Sequence, residues 1–157
     1  MMRRVIDKIP FATAILFVPL AYALHHLEEM IYGVAIYGEP FRNWRLRHFP
    51  DNNYLTTENM LVNMSIAYLT FVIIFHLRRS KITALAAMVM AMSGELQNVI
   101  YHVGCSIIFN DLSPGMITAV LVYAPVNALF IYRAFQEGWL DAKTFTAMFV
   151  VSFITFW

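Results

Sequence analysis

The chain has 157 residues, of which 60% are hydrophobic, 15% aromatic and only 13% charged. An average soluble domain carries about 25% charged residues. This composition argues against a soluble enzyme, a disordered regulator or a nucleic-acid binder, whose basic stripe needs more Lys and Arg. The formal net charge of +1 conceals an uneven distribution. All eleven Lys and Arg fall in connecting or end segments, whereas Glu28, Glu29, Glu58 and Glu95 fall inside long apolar stretches. The single cysteine, Cys105, allows no intramolecular disulfide and forms no metal motif.

The N-terminal segment places Arg3, Arg4 and Lys8 before an apolar run, with Ala21-Tyr22-Ala23 as a candidate cleavage site. Its apolar character continues past residue 23, so it reads as a retained first span. Apolar stretches follow at about 11–37, 55–77, 82–109, 114–135 and 142–157. About 20 residues at 1.5 Å rise cross a hydrocarbon core. The first four are long enough, and the fifth is marginal. Alternation over about ten residues, the mark of membrane strands, is missing. The expected fold is therefore all-α: a single integral membrane bundle of four long spans plus a shorter fifth C-terminal helix.

Basic residues set the orientation. With the N-terminus cytoplasmic, that side holds Arg3, Arg4, Lys8, Arg78, Arg79, Lys81, Arg133 and Lys143, against Arg42, Arg45 and Arg47 outside. The first outer loop, Phe41-Arg-Asn-Trp-Arg-Leu-Arg-His-Phe49, reads equally as an interface-lying amphipathic segment or as a loop with Trp44 as an anchor. In the second outer loop, Ser113 is placed to cap the fourth helix and Pro114 suits its first turn.

Polar groups within the spans fall on shared faces. His25, Glu28 and Glu29 lie within an arc of about 100° on the first helix. Glu95, Asn98 and His102 share a face of the third, while Glu58, Asn59 and Asn63 spread over a broader arc of the second. In the expected orientation His25 lies roughly 22 Å up the first helix. Glu58 enters from the outer side, Glu95 falls near the midplane and His102 in the outer half. Each such group costs roughly 2.5–3.5 kcal/mol when charged at the bilayer centre, so it should face inward and have a partner. No Lys or Arg in the spans supplies one.

Two solutions present themselves: a bound metal, or carboxyls that hold protons or share them with His. Imidazole with carboxylate suits zinc or non-haem iron. Any one of these Glu can instead be a neutral, hydrogen-bonded packing residue, but three clusters at one depth argue for a site. The candidate ligands are His25, Glu28, Glu29, Glu58, Glu95 and His102. His26 reads as a packing or supporting group, His76 as an interfacial anchor, and Asn127 as a partner for backbone freed by Pro125.

His25-His-Leu-Glu-Glu29 reads as HxxEE, followed in order by Asn98-Val-Ile-Tyr-His102 and Ser113-Pro-Gly-Met-Ile-Thr118. In these motifs the chain resembles the HXXEE family of small bacterial integral membrane proteins. The resemblance implies a multi-span protein of the bacterial inner membrane with a His/Glu constellation at His25, Glu28, Glu29, Asn98 and His102, and no assigned activity. The clustered histidines of membrane desaturases, the paired ExxH of ferritin-like sites and the span lysine of rhodopsins do not occur. Sterol isomerases of the emopamil-binding type offer only a chemical analogy.

The expected function is a membrane-embedded enzyme acting on a lipid or isoprenoid-like substrate, with zinc or iron or with metal-free acid–base chemistry. His25, Glu28, Glu29, Asn98 and His102 would carry it. The alternative is a proton- or cation-coupled carrier, or a small-ligand-binding protein, using the same cluster. The expected partners are membrane lipids and a lipophilic small molecule, not nucleic acid, with a homo-oligomer left open.

Overall fold

A computed structural model describes residues 6–50 and 57–156, the side chains of residues 57–61 excepted. Among the described residues every regular element is helical. The order is α1 (Phe11–Tyr37), α2 (Phe41–His48), α3 (Thr57–Arg78), α4 (residues 81–109), α5 (Met116–Gln136) and α6 (Ala142–Phe156).

Two of these helices, α1 and α5, are long and apolar enough to cross a membrane. The sequence expectation was four. Within the described residues α3 offers a shorter apolar helix, Val62–Arg78, and α6 is also short. In α4 the polar residues Glu95, Gln97, Asn98 and His102 dilute the apolar run.

Local chemistry explains the helix boundaries. The first turn of α1 breaks at Ile15–Leu16, four residues before Pro19, whose missing N–H cannot bond the Ile15 carbonyl. Ser80 starts α4 with a capping box, its hydroxyl accepting from the Thr83 amide at 3.2 Å. Asp141 starts α6, accepting from the Thr144 amide at 2.8 Å and from its hydroxyl at 3.0 Å. These two bonds hold the Asp141 carboxyl below its ordinary range.

The core lies among α1, α3, α4 and α5. It joins Phe11, Ile15 and Val18 to Phe75, Met88 and Phe130, all 0–1% exposed. On α4, Ala84, Ala87 and Ala91 are buried and let neighbouring backbones approach. Helix α6 is tied to α4 by Gln97 Nε2 donating to Ser152 Oγ at 3.0 Å and by a 2.8 Å Ser93–Thr155 hydroxyl pair. His76, expected as an interfacial anchor, ties α3 to α1. Its ring nitrogens lie 2.8 and 2.9 Å from the Val72 and Ala12 carbonyl oxygens.

The segment expected as the first outer loop is a helix. Along α2, Phe41 and Trp44 are buried beside Cys105 of α4, so Trp44 packs inward and is not an exposed anchor. Arg47 and His48 reach Asp111 in the loop before α5 at 2.8 and 2.9 Å, and Arg47 also pairs with Glu39.

The capping box gives a direct check. Ser80→Ala should lower stability by about 1 kcal/mol, read as a reduced melting temperature in detergent with unchanged helical content.

Candidate functional site

Three helices widen into π-turns around one polar centre: Glu28–Tyr32 in α1, Met92–Leu96 in α4 and Ala119–Tyr123 in α5. Such turns insert a residue into the helical repeat and frequently mark functional sites.

The π-turn of α1 begins at the paired acids and sends them in different directions. Glu29 turns inward between His25, His26 and His102. Its Oε1 lies 3.4 Å from Nε2 of His25 and 3.4 Å from Nε2 of His102. Its Oε2 lies 2.5 Å from Nδ1 of His26. His25, Glu29 and His102 are buried to 0–3% and offer ligand atoms that all lie within 4.8 Å of one another.

Each imidazole is oriented from behind. The Thr118 hydroxyl donates to the Gly115 carbonyl at 3.3 Å, so it accepts from His25 Nδ1–H at 2.9 Å. That leaves the lone pair of His25 on Nε2, where the Asn98 amide approaches at 3.2 Å. His102 Nδ1 bonds Ser113 Oγ at 2.8 Å, and its Nε2 has no hydrogen-bond partner. Tyr123 lies against His25 with ring centroids 4.4 Å apart, and Phe41 approaches His102 at 5.2 Å.

Glu28 has a different task. Its Oε1 accepts from the amides of Gly115 and Ile117, each at 3.2 Å, and from the Tyr37 hydroxyl at 2.5 Å. Its Oε2 accepts from the Thr118 amide at 2.7 Å. A carboxylate from α1 therefore caps α5, where the unpaired amides and the helix dipole favour negative charge. The cap expected from Ser113 comes from Glu28, because the Ser113 hydroxyl is turned to His102.

Gly115 makes this approach possible. Its φ is +100°, and a Cβ there would stand 2.8 Å from Cε1 of both His25 and His102 and 3.1 Å from Cγ of Glu29. No other residue type fits both the left-handed conformation and the space.

Glu95 lies outside the triad. Its Oε2 accepts from Asn127 Nδ2 at 2.9 Å, and the same amide donates to the Tyr123 carbonyl at 2.9 Å. Asn127 thus bonds the Tyr123 carbonyl, four residues before it, and not a carbonyl freed by Pro125, and it holds Glu95 as well. The side chains of Glu58 and Asn59 lie outside the described residues, and Asn63 is exposed. Asn98 is half-buried at the edge of the site. Sequence reasoning missed Thr118, Gly115, Tyr37 and the role of Ser113. The Ser113–Thr118 motif marked the segment, but its contacts with α1 span some 90 residues.

The arrangement is two imidazoles and one carboxylate converging on a point, with the far side of each ring held by a hydroxyl. Tetrahedral zinc with bonds of about 2.0–2.1 Å separates its ligand atoms by ~3.3 Å, close to the 3.4 Å contacts of Glu29. Two His and one carboxylate also form the facial set of non-haem iron, and hydroxyl support behind the rings fixes which nitrogen faces the ion.

The family described as "protein of unknown function with HXXEE motif" matches residues 16–130. No curated protein and no solved structure matches the chain.

Glu28→Gln tests the cap. One acceptor oxygen becomes an amide group facing backbone donors, and stability should fall by about 2 kcal/mol. The loss is read by thermal melting, with His25, Glu29 and His102 left in place.

Proposed function

The chain belongs to the HXXEE family, and because that family has no assigned function we propose from the site alone that it is an integral membrane metalloenzyme. A zinc or iron ion would be held by His25, Glu29 and His102, and the substrate would be lipophilic. The observation that carries this reading is the convergence of electron-pair donors. Nε2 of His25 and Nε2 of His102 both face one oxygen of Glu29 at 3.4 Å, long for a hydrogen bond and close to the spacing of ligand atoms around one ion. With both rings neutral and protonated on Nδ1, all three groups offer electron pairs to a cation standing between them.

The membrane setting is supported by the reversed polarity of the molecule. Leu77, Ile82, Ile107 and Ile108 are 74–79% exposed, whereas Glu29, Glu95 and His102 are at most 3% exposed. Apolar surface on that scale points to lipid, and buried ionisable groups inside a span point to function. In this reading α1, α3, α4 and α5 cross the bilayer with the N-terminus cytoplasmic, and the triad lies in the outer half.

Three protein ligands leave coordination positions open, as in catalytic sites. The ion would polarise a substrate oxygen or lower the proton affinity of a water molecule. Asn98, half-buried and 3.2 Å from His25 Nε2, would orient the substrate or donate to developing negative charge. Glu28 would position the triad through α5. Asn98 and Thr118 are the partly exposed members of the site, so access from the side, out of lipid, is favoured. A carrier needs a polar route onward to the cytoplasmic face. Below Asn127 the core is instead Phe130, Phe75 and Phe11, which favours the enzyme.

The 2.5 Å contact between His26 and Glu29 supports a second reading, metal-free acid–base catalysis by a proton-sharing cluster. Elemental analysis of protein purified in detergent separates the two. About one zinc or iron per chain is expected in the wild type and in Glu28→Gln, with at least a tenfold loss in Glu29→Gln and His102→Ala. Wild-type protein that stays metal-free after zinc or ferrous iron is supplied would overturn the metalloenzyme and leave the acid–base reading.

A further inference from the structure

Among the described residues three acids lie buried in the core, and two of them are surrounded by polar groups. Glu28 receives three backbone amides of α5 and a tyrosine hydroxyl; Glu29 is ringed by three imidazoles. Glu95 has one amide hydrogen on Oε2, and its Oε1 has no partner although the residue is 0% exposed. Three more buried oxygens nearby are equally unpartnered: Asn127 Oδ1, Tyr68 OH and Tyr123 OH. Asn127 is bonded both to Glu95 and to the carbonyl of Tyr123. Tyr68 is brought against the α4 backbone beside Glu95 by Gly94, whose hydrogen leaves room that a Cβ would fill; the Tyr68 Cζ would stand 3.0 Å from it.

We propose that Glu95, Asn127, Tyr68 and Tyr123 form a second site, made of oxygen donors alone, that binds a monovalent cation of the sodium class. The donor chemistry separates it from the triad: neutral and anionic oxygens suit hard cations, whereas imidazole suits zinc and iron. The charge selects valence. One carboxylate in a dry interior is neutralised by a single positive charge, and a divalent ion would leave an uncompensated charge behind. Glu95 is seven positions before His102 on α4, about 10 Å along the helix, so the two donor sets are separate although the Tyr123 ring also lies against His25. The cation would brace α4 against α5 and α3 where helical hydrogen bonding is widened by π-turns. The proposal goes beyond the metalloenzyme reading and does not depend on it.

Sodium itself is the probe. Thermal melts in detergent compare sodium chloride with choline chloride at equal ionic strength. At about a hundredfold excess over Kd the wild type should gain roughly 5–10 °C. Glu95→Gln, the neutral isostere, should melt at the same temperature in both salts. His102→Ala, which breaks the triad, should keep the sodium response. Radioactive sodium should bind wild-type protein at about one ion per chain, and this measurement decides the matter if Glu95→Gln does not fold. A wild type that neither responds to sodium nor binds it would overturn the proposal and assign Glu95 as a neutral acid. An undiminished response in Glu95→Gln, or its loss in His102→Ala, would also overturn it.

Discussion

The carboxylate of Glu28 on the first amides of α5 is the contact from which the rest of the site follows. It fixes where α5 begins relative to α1, and so places Gly115 over the imidazoles and Thr118 behind His25. The opposite end of the same helix pair is closed in a similar way, with Glu137 at the end of α5 accepting from the Phe11 amide at 2.7 Å. Each helix thus lends a carboxylate to the other's first turn. Bonds of this kind are charge-assisted and directional, and they set register where apolar packing alone would allow sliding. The orientation of His25 is one consequence. With Thr118 committed to the Gly115 carbonyl, Nδ1 of the ring is the donor to Thr118, and Nε2 is turned to Glu29 and Asn98.

A shared carboxyl chemistry therefore serves different ends at adjacent positions. Glu28 and Glu29 are consecutive in sequence, yet one faces backbone amides and the other faces imidazoles. The π-turn that starts at Glu28 lets them diverge, because a wider turn changes the angle between successive side chains. The cost of burying charge is met by a helix terminus for Glu28 and by an amide hydrogen for one oxygen of Glu95, whereas the three ring nitrogens around Glu29 compensate it only through a proton or a cation. Peripheral charges are handled differently. Arg47, His48 and Asp111 join α2 to the loop before α5 at the surface, where such pairs contribute little energy but fix how α2 lies over the site.

Much of the candidate site was legible in the helical periodicity. His25, Glu29 and His102 were picked out as inward-facing groups without charged partners in their own spans, and the structure brings these three together. Glu28 shared their face on the helical wheel but not their role, since a wheel assumes one uniform turn and cannot foresee a π-turn. Ser113 was read as a local cap because local caps are the common solution. The structure uses it on His102 because Glu28, distant in sequence, already occupies the amides. His76 shows the same effect. Its place beside Arg78 and Arg79 suggested an anchor, yet its ring spans two carbonyls on different helices.

The sequence by itself determined that the chain is helical, that its basic residues lie between or at the ends of the apolar stretches and that its acids within them need compensation. These follow from composition and periodicity, which are local properties. It could not determine which compensation each acid receives. That depends on which helix end or ring nitrogen arrives within 3–4 Å, and this is decided only when helices far apart in the chain pack at a particular register. Among the described residues, α1 and α5 meet both length and apolarity for crossing a membrane, where four spans were expected. The polar groups that interrupt α4 are the ones that build the site, because a span cannot carry Glu95, Asn98 and His102 inward and remain uniformly apolar.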